Sequence, residues 1–402
     1  MRNIILFDDE NRDQFLPLVY TKPVCELRCG ILTIREKWEI YLSSKSSFIT
    51  QDYLVGKYPI SVSNDNYIIN GALLPNPRIV KLILSLEMNE AILSEGELLA
   101  ARLDYAQFDL LNNDKPIEEI SGIELPKGNS YSKISQLSDL FRLNGRQIEA
   151  DFDLITKNRE SEEISSSNTI LGSHPVFVEK GASIECAVLN STEGPIYIGR
   201  DATVMEGSMI RGPFAMNAKS VLKMGSKVYE DCTLGPYCKV GGEINNVIFT
   251  GFSSKSHDGF LGNSVIGEWC NFGADSNNSN LKNNYTTVKL WNYPTQRFKS
   301  TNLQFCGLIM GDHSKCGINT MFNTGTVVGF SANIFGSGFP RNFVPSFSWG
   351  GASGYSTYAF NKAMDTVEKV MVRRDQSLTE VDRAIFKHVF DNTAEYRPWE
   401  KL

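Results

Sequence analysis

The chain has only four histidines in 402 residues, no cysteines at C-x-x-C spacing, no apolar run near the ~20 residues that cross a bilayer, and no surplus of positive charge. Each shortage excludes something. With 40 basic against 46 acidic residues and a formal net charge of -6, general nucleic-acid binding is excluded, because neutralising phosphate takes a basic surface. The ordered charged, apolar and small-residue stretches of a signal peptide are also missing. A cytoplasmic protein without membrane contact is therefore expected. Eight cysteines without paired spacing argue against zinc or a disulfide framework. Four scattered histidines without a close pair likewise speak against a zinc hydratase, and no metal ligand is assigned.

What the chain does have is a period of six. Ile198, Val204, Ile210, Met216, Leu222, Val228, Leu234 and Val240 follow one another every six residues. The residue two before each is usually small: Ala202, Ser208, Ser220, Ser226, Cys232, Cys238. This period belongs to neither an α-helix nor a simple strand. It predicts a parallel β-helix of hexapeptide repeats, each hexad forming one short face of a coil with its apolar residue on the axis. Cys232, Cys238, Cys270 and Cys316 fall on inward or corner positions, where a thiol serves as a small apolar side chain. The rhythm returns at Val178 and Ile184, at Phe260, Ile266 and Phe272, and from Met310 through Cys316, Phe322 and Val328 to Ile334. Glycine often follows the inward residue (Gly199, Gly235, Gly267, Gly273, Gly311, Gly317, Gly329), which reads as a corner needing positive φ. An antiparallel sandwich would instead alternate with period two.

The first 156 residues have mixed α/β character. NIILFDD reads as a buried strand ending in acids, Tyr67–Ile69 and Leu98–Leu103 as strands, and Val80–Leu86 and Gln136–Leu143 as helices. Ligands in such a sheet are expected at the carboxyl ends of the strands. Residues 157–169 read as a linker, 170–340 as the β-helix, and 341–402 as an extension. In that extension Ser377 and Glu380 have capping-box spacing ahead of Val381, Ile385 and Val389. Two stretches, Gly241–Gly259 and Asn278–Leu308, break the hexads and are expected to leave the coil as loops, the usual bearers of chemistry on a rigid scaffold.

A neutral-pH base is most often histidine. His257 ends the first interruption, where a coil restarts; its blander reading is a solvated loop histidine. His313, on a regular hexad, reads as an outward structural residue, and His174 and His388 as structural or exposed.

SKSHDGFLGNSVIGEWCNFGA, Ser254–Ala274, resembles the acetyltransferase segment of the bacterial bifunctional enzyme family that makes UDP-N-acetylglucosamine, whose pattern runs S-K-A-x-H, an aromatic, L/I-G-D, I-G and N-I-G-A. The resemblance implies a left-handed β-helix, a homotrimer, acetyl-CoA as co-substrate, and His257 as general base. It also implies that Glu243, Lys255 and Asn280 bind the sugar substrate or acyl-CoA. Leu281 replaces the tyrosine of the family's N-Y-D-G loop, and Asn245 stands where a lysine would contact the sugar phosphate. The N-terminal part is similar to a shortened form of that family's nucleotidyltransferase half. Arg12, Lys22 and Asp139 are the implied nucleotide-binding positions, with Mg²⁺ left open. Asp8, Asp9 and Glu10 occupy the place of the phosphate-loop glycines, and Asn70–Gly71 that of the metal-binding aspartate. The expected substrate is a sugar phosphate or nucleotide sugar. Two other readings stay open: a sugar-1-phosphate nucleotidyltransferase with the β-helix as oligomerisation scaffold, and a non-catalytic sugar-nucleotide sensor.

Overall fold

The computed structural model describes residues 2–112, 120–126 and 131–400. The chain forms two compact units. The first comprises Met1–Phe15, Lys22–Leu27 and Leu32–Ser135, and the second Leu16–Thr21, Arg28–Ile31 and Gln136–Leu402.

In the first unit, β1 (Asn3–Phe7) pairs in parallel with both β2 (Ser46–Ile49) and β3 (Asn66–Asn70). Strand Glu97–Leu103 then runs antiparallel to β3, and the sheet continues through Glu90–Ser94 to Ser121–Glu124. The sheet is thus mixed, with its parallel part around the apolar β1. Helix α1 (Ile34–Leu42) starts from a reciprocal capping box between Thr33 and Glu36. Trp38, fully buried, donates its indole N–H to the carbonyl of Leu73. Helix α2 spans Pro77–Leu84, earlier than the apolar pattern predicts, because the Asn76 side chain caps it and Pro77 takes the first helical position. Helix α3 covers Tyr105–Asn112.

The second unit is a parallel β-solenoid. Strands one coil apart lie in register: Ile196–Ile198 over Phe214–Met216 over Cys232–Leu234, and Thr203–Val204 over Val221–Leu222 over Lys239–Val240. Eighteen residues, three hexads, make each of these coils. All eight residues of the longest hexad series sit in one continuous apolar core, none more than 3% exposed. The small residues at the corners are fully buried. Their hydroxyls serve the turns: Ser208 and Ser226 donate to the carbonyl of Lys223 at 3.0 and 2.5 Å.

Two expectations are corrected here and a third is met. First, Gly241–Gly259 does not leave the coil: Glu243–Phe249 is a seven-residue strand paired along its length with Phe260–Ile266. The hexads fail because the coil shortens, so that Val240 is followed on its face by Lys255, fifteen residues later. The inward residue near Phe260 is accordingly Leu261. Second, the glycines after inward residues lack positive φ; the left-handed residues come two later, at Asp201, Tyr237, Trp269, Asp275, His313, Asn319 and Ser331. A side chain at Gly235 would strike the Thr250 carbonyl of the next coil, and one at Gly273 the backbone of Gly317. Close stacking of coils, not turn conformation, demands glycine there. Third, the segment 278–308 does leave the coil, carrying the antiparallel hairpin Lys289–Asn292 and Arg297–Ser300.

Domain limits also move. Helix α4 runs Leu137–Thr156, well beyond Leu143, and groups with the solenoid. Its buried Asn144 receives the N–H of Gly30 and donates to the Asp231 carbonyl and Thr233, while Asp151 receives the N–H of Ile31. Buried polar groups need such partners. The expected linker closes the first coil: Ser161 accepts the N–H of Val178, and Asn168 bridges the Ile184 carbonyl and the Ala187 N–H. Coiling continues past 340, through Phe343–Val344 and Ser348–Gly351. Helices α5 (Phe360–Val372) and α6 (Glu380–Asn392) follow. The reciprocal cap of α6 is Thr379 with Asp382, two residues beyond the expected pair, and Val381 is exposed. Ile385, Phe386 and Val389 are buried, and Phe386 lies 4.9 Å from Phe330 on the coil stack.

Candidate functional site

At the carboxyl ends of β1 and β3 the first unit gathers Asp8, Asp9 and Asn70. Asp8 accepts the Val24 N–H at 2.8 Å and the Thr50 hydroxyl at 2.6 Å, and lies 3.3 Å from the Arg12 guanidinium. Burial pushes its carboxyl up, against those partners. Arg12, expected to hold nucleotide, is 4% exposed and engaged with Asp8, Asp13 and Tyr53. Asp9 is held by the Lys133 ammonium at 2.7 Å and by Asn70 at 2.9 Å, and Lys133 also bonds Glu97 at 2.8 Å. Despite burial, those bonds draw the Asp9 carboxyl below its ordinary value. Sequence reasoning missed Lys133 and Glu97, whose only signal would have been the antiparallel strand that brings Glu97 back to β3. Lys22 is buried. Asp139, in the second unit, sits in the first turn of α4, accepting the Gln136 N–H and pairing with Arg142 at 2.8 Å. These placements give Arg12 and Asp139 structural duties. Both carboxylates at the end of β1 are committed to protein donors, which does not fit a ready Mg²⁺ site. Among the described residues no group of three His, Cys, Asp or Glu side chains is placed to hold a metal.

The solenoid's candidates are spread over different faces of neighbouring coils. His257 sits at the corner between Ser254–Lys255 and Phe260–Ile266, its side chain exposed. Glu243, half-buried, opens the strand of the preceding coil and pairs with Phe260. Asn280, just past the inward Asn278, donates to Asn263 at 2.8 Å. Lys255 points the other way. It occupies an inward position, is 1% exposed, and donates to the carbonyls of Gly241, His257 and Gly259 at 3.1, 3.0 and 2.6 Å. Burial lowers its ammonium to about 8. Its duty is to hold the turn that carries His257, and it cannot reach a substrate from there.

His257 lines a cleft of about 690 Å³ whose other walls are Lys223, Lys239, Lys315, Phe252, Trp269 and the end of α5 at Arg373 and Arg374. Phe252 and Trp269 belong to a column at the left-handed corner. Tyr237, Phe252, Trp269 and His313 have φ between 55° and 63° and stack in succession, with centroids 5.0, 4.2 and 6.0 Å apart. Left-handed backbone is costly for such bulky residues, of order 1–3 kcal/mol each. The stacking, worth roughly 0.5–1.5 kcal/mol per pair, offsets part of that. His313, expected outward, is buried in this column under Phe386 of α6, at 5.3 Å. Glu243, Lys255 and Asn280 do not line the cleft.

Residues 4–160 match the family model described as sugar nucleotidyl transferase. This chain carries a sugar nucleotidyl transferase domain. Among curated proteins, the bifunctional protein GlmU of Methanocaldococcus jannaschii is 40% identical over 73 residues, 18% of this chain and 17% of that protein. The matched segment is thus a small part of that relative's length. Among solved structures, the polySia-specific acetyltransferase NeuO is similar, with 14% identity and a TM-score of 0.26 over 48% of this chain and 87% of NeuO. A likeness at that level bears on neither substrate nor chemistry. Beside the transferase domain, the described residues include no helix long and apolar enough to cross a membrane.

Proposed function

We propose that the chain is a transferase of sugar-nucleotide metabolism whose solenoid moves an acyl group from acyl-CoA to an amino-sugar phosphate or nucleotide sugar. The observation that carries this reading is the exposed His257 on a coil corner, at the mouth of a cation-lined cleft, within a segment that resembles the acetyltransferase motif. In the proposed step the imidazole takes the proton of the acceptor's amine or hydroxyl as it attacks the thioester carbonyl. The new C–N or C–O bond forms, the C–S bond breaks, and the imidazolium returns the proton to the leaving thiolate. Lys255 acts through the backbone, holding the His257 carbonyl, and is a positioning residue. Glu243 and Asn280, on either side of the Phe260–Ile266 strand, are assigned to the acceptor. A homotrimer acting in the cytoplasm goes with this reading.

The test is thiol release from acetyl-CoA with a panel of amino-sugar phosphates. His257→Ala should cut turnover by roughly 10² to 10⁴, the usual contribution of a positioned base. Undiminished turnover in that variant, or none in the wild type, would overturn the proposal. A second reading, sugar-1-phosphate nucleotidyl transfer by the N-terminal domain, is favoured by the family-model match over residues 4–160. Magnesium-dependent pyrophosphate release is its signature.

A further inference from the structure

The last coils of the solenoid stack four outward side chains in one row. On a single face, Asn271 pairs with Lys315, Lys315 with Asn333, and Asn333 with Trp349. Phe272, Cys316 and Ile334, one residue further on, enter the core, and the alternation of a strand turns the row outward. Neighbouring strands lie about 4.8 Å apart, so the row is roughly 14 Å long. Its members leave hydrogen-bonding groups unused. Among the described residues the side-chain amides of exposed Asn271 and half-buried Asn333 make no hydrogen bond, and neither does the indole N–H of Trp349. Lys315 gives one bond, to the His313 carbonyl at 2.9 Å, of the three an ammonium can donate. No carboxylate stands in the row. Trp349 closes it at 40% exposure, yet its ring is fixed: Phe335, itself 41% exposed, lies edge-on at 5.2 Å and Tyr358 at 4.7 Å. Tyr358 is buried, its hydroxyl 2.6 Å from that of Thr366 on α5. Exposed apolar side chains taken singly are ordinary. Packing does not explain a large aromatic ring held in solvent at the end of a row of free amides.

We infer that this row is a binding track for a linear oligosaccharide lying along the solenoid axis, one sugar unit to each coil. The repeat decides between polymers. A pyranose unit in an extended chain has about the length of one coil step, whereas an extended polypeptide repeats every two residues, at roughly 6.6 Å, and falls out of step. Each asparagine offers two N–H donors and a carbonyl acceptor, which suits the neighbouring hydroxyls of a sugar ring. The Trp349 ring supplies the flat apolar surface on which the C–H face of a sugar stacks, and its N–H reaches a further hydroxyl. The track leaves the cleft beside His257 at Asn271 and Lys315, which line both, and runs away from it toward Trp349. It goes beyond the transfer assigned to His257 and does not depend on it.

Titration calorimetry of the full chain with linear oligomers of glucose, of mannose and of N-acetylglucosamine, from two to six units long, tests it. At least one series should bind, with affinity that rises with length and levels at about four units, one for each outward residue. Trp349→Ala and Asn333→Ala should each lower that affinity about tenfold, Trp349→Tyr should retain most of it, and none of the three should move the melting temperature. His257→Ala should bind the same oligomers as the wild type, so that failure of the proposed transfer and failure of the track are separate results. If no series binds at millimolar concentration, if affinity is indifferent to length, or if Trp349→Ala leaves it unchanged, the inference falls. Light scattering is the second readout: a wild-type oligomer that Trp349→Ala converts to smaller species would assign the row to a second copy of the chain and overturn the track.

Discussion

Replacing Lys255 by methionine, similar in length and unbranched, removes an ammonium that points into the coil axis. Its effect on stability should depend on pH with a sign fixed by the structure. In the unfolded chain the group keeps its ordinary value of 10.5, and in the folded chain burial lowers it to about 8. Below pH 8 the ammonium is charged in both states and its burial is a full penalty. Between about 8 and 10.5 the folded protein releases the proton while the unfolded chain holds it, so stability rises with pH and levels off above 10.5. A fall from 10.5 to about 8 corresponds to roughly 3 kcal/mol, most of which should appear between pH 7 and pH 10. Buried thiols work in the opposite direction. Cys232, Cys238 and Cys270 have values pushed well above 9 by burial, so the unfolded chain loses those protons first and stability drops as pH rises. Both proteins contain these thiols, and the quantity to measure is the difference between wild type and Lys255→Met in the solenoid's urea transition at each pH. The wild type should gain on the variant by roughly 2–3 kcal/mol across this range. A difference that stays constant, or one that shrinks, would refute the inward placement of the charge.

Two further substitutions probe the two units separately. Val228, 3% exposed within the coil core, should not tolerate aspartate: Val228→Asp buries an unpaired carboxylate at a cost of several kcal/mol, and unchanged melting of the solenoid would contradict the assignment. Asp8→Ala leaves the buried Arg12 guanidinium without its closest buried carboxylate and the Val24 N–H without its acceptor. The first unit should lose roughly 3–5 kcal/mol in chemical denaturation, and a loss under about 1 kcal/mol would show that the pair is dispensable.

The solenoid was legible because its cause is local and repeated. Inward residues every six positions, with small residues at the buried corners, leave a periodic trace whenever a coil is eighteen residues long. Between Val240 and Phe272 successive coils take fifteen and then seventeen residues, and the trace vanishes although the coil does not. A period search sees an interruption there and assigns a loop, while the backbone keeps its parallel ladder from Glu243 to Phe249. Glycine misled for a related reason. Its presence marks a corner, but its conformation is ordinary, and the strained residues two positions later include tyrosine, tryptophan and histidine, which no turn rule would choose.

The site was legible only in part, since side-chain direction depends on register. His257 stands out by its scarcity and motif, and it is exposed, though at a corner of an unbroken coil and not at a restart. Lys255 stands two residues before it in the same motif, and the sequence gives no reason to treat the two differently. Position on the coil separates them: Lys255 aligns with the inward Val240 and so enters the core. A charged residue at an inward position is tolerated because three carbonyls of the 241–259 segment converge on it. Those bonds also fix the turn that presents His257. The five cations of the cleft were invisible for the opposite reason, being spread from Lys223 to Arg374 and ordinary as surface residues one at a time. They become a site only when α5 returns along the coil stack, a packing event that no spacing rule anticipates. If acyl transfer is the chemistry of this solenoid, its base is set by a buried lysine and its charged substrate by a helix from the far end of the chain. Changes in either element should then alter turnover without touching the reacting atoms.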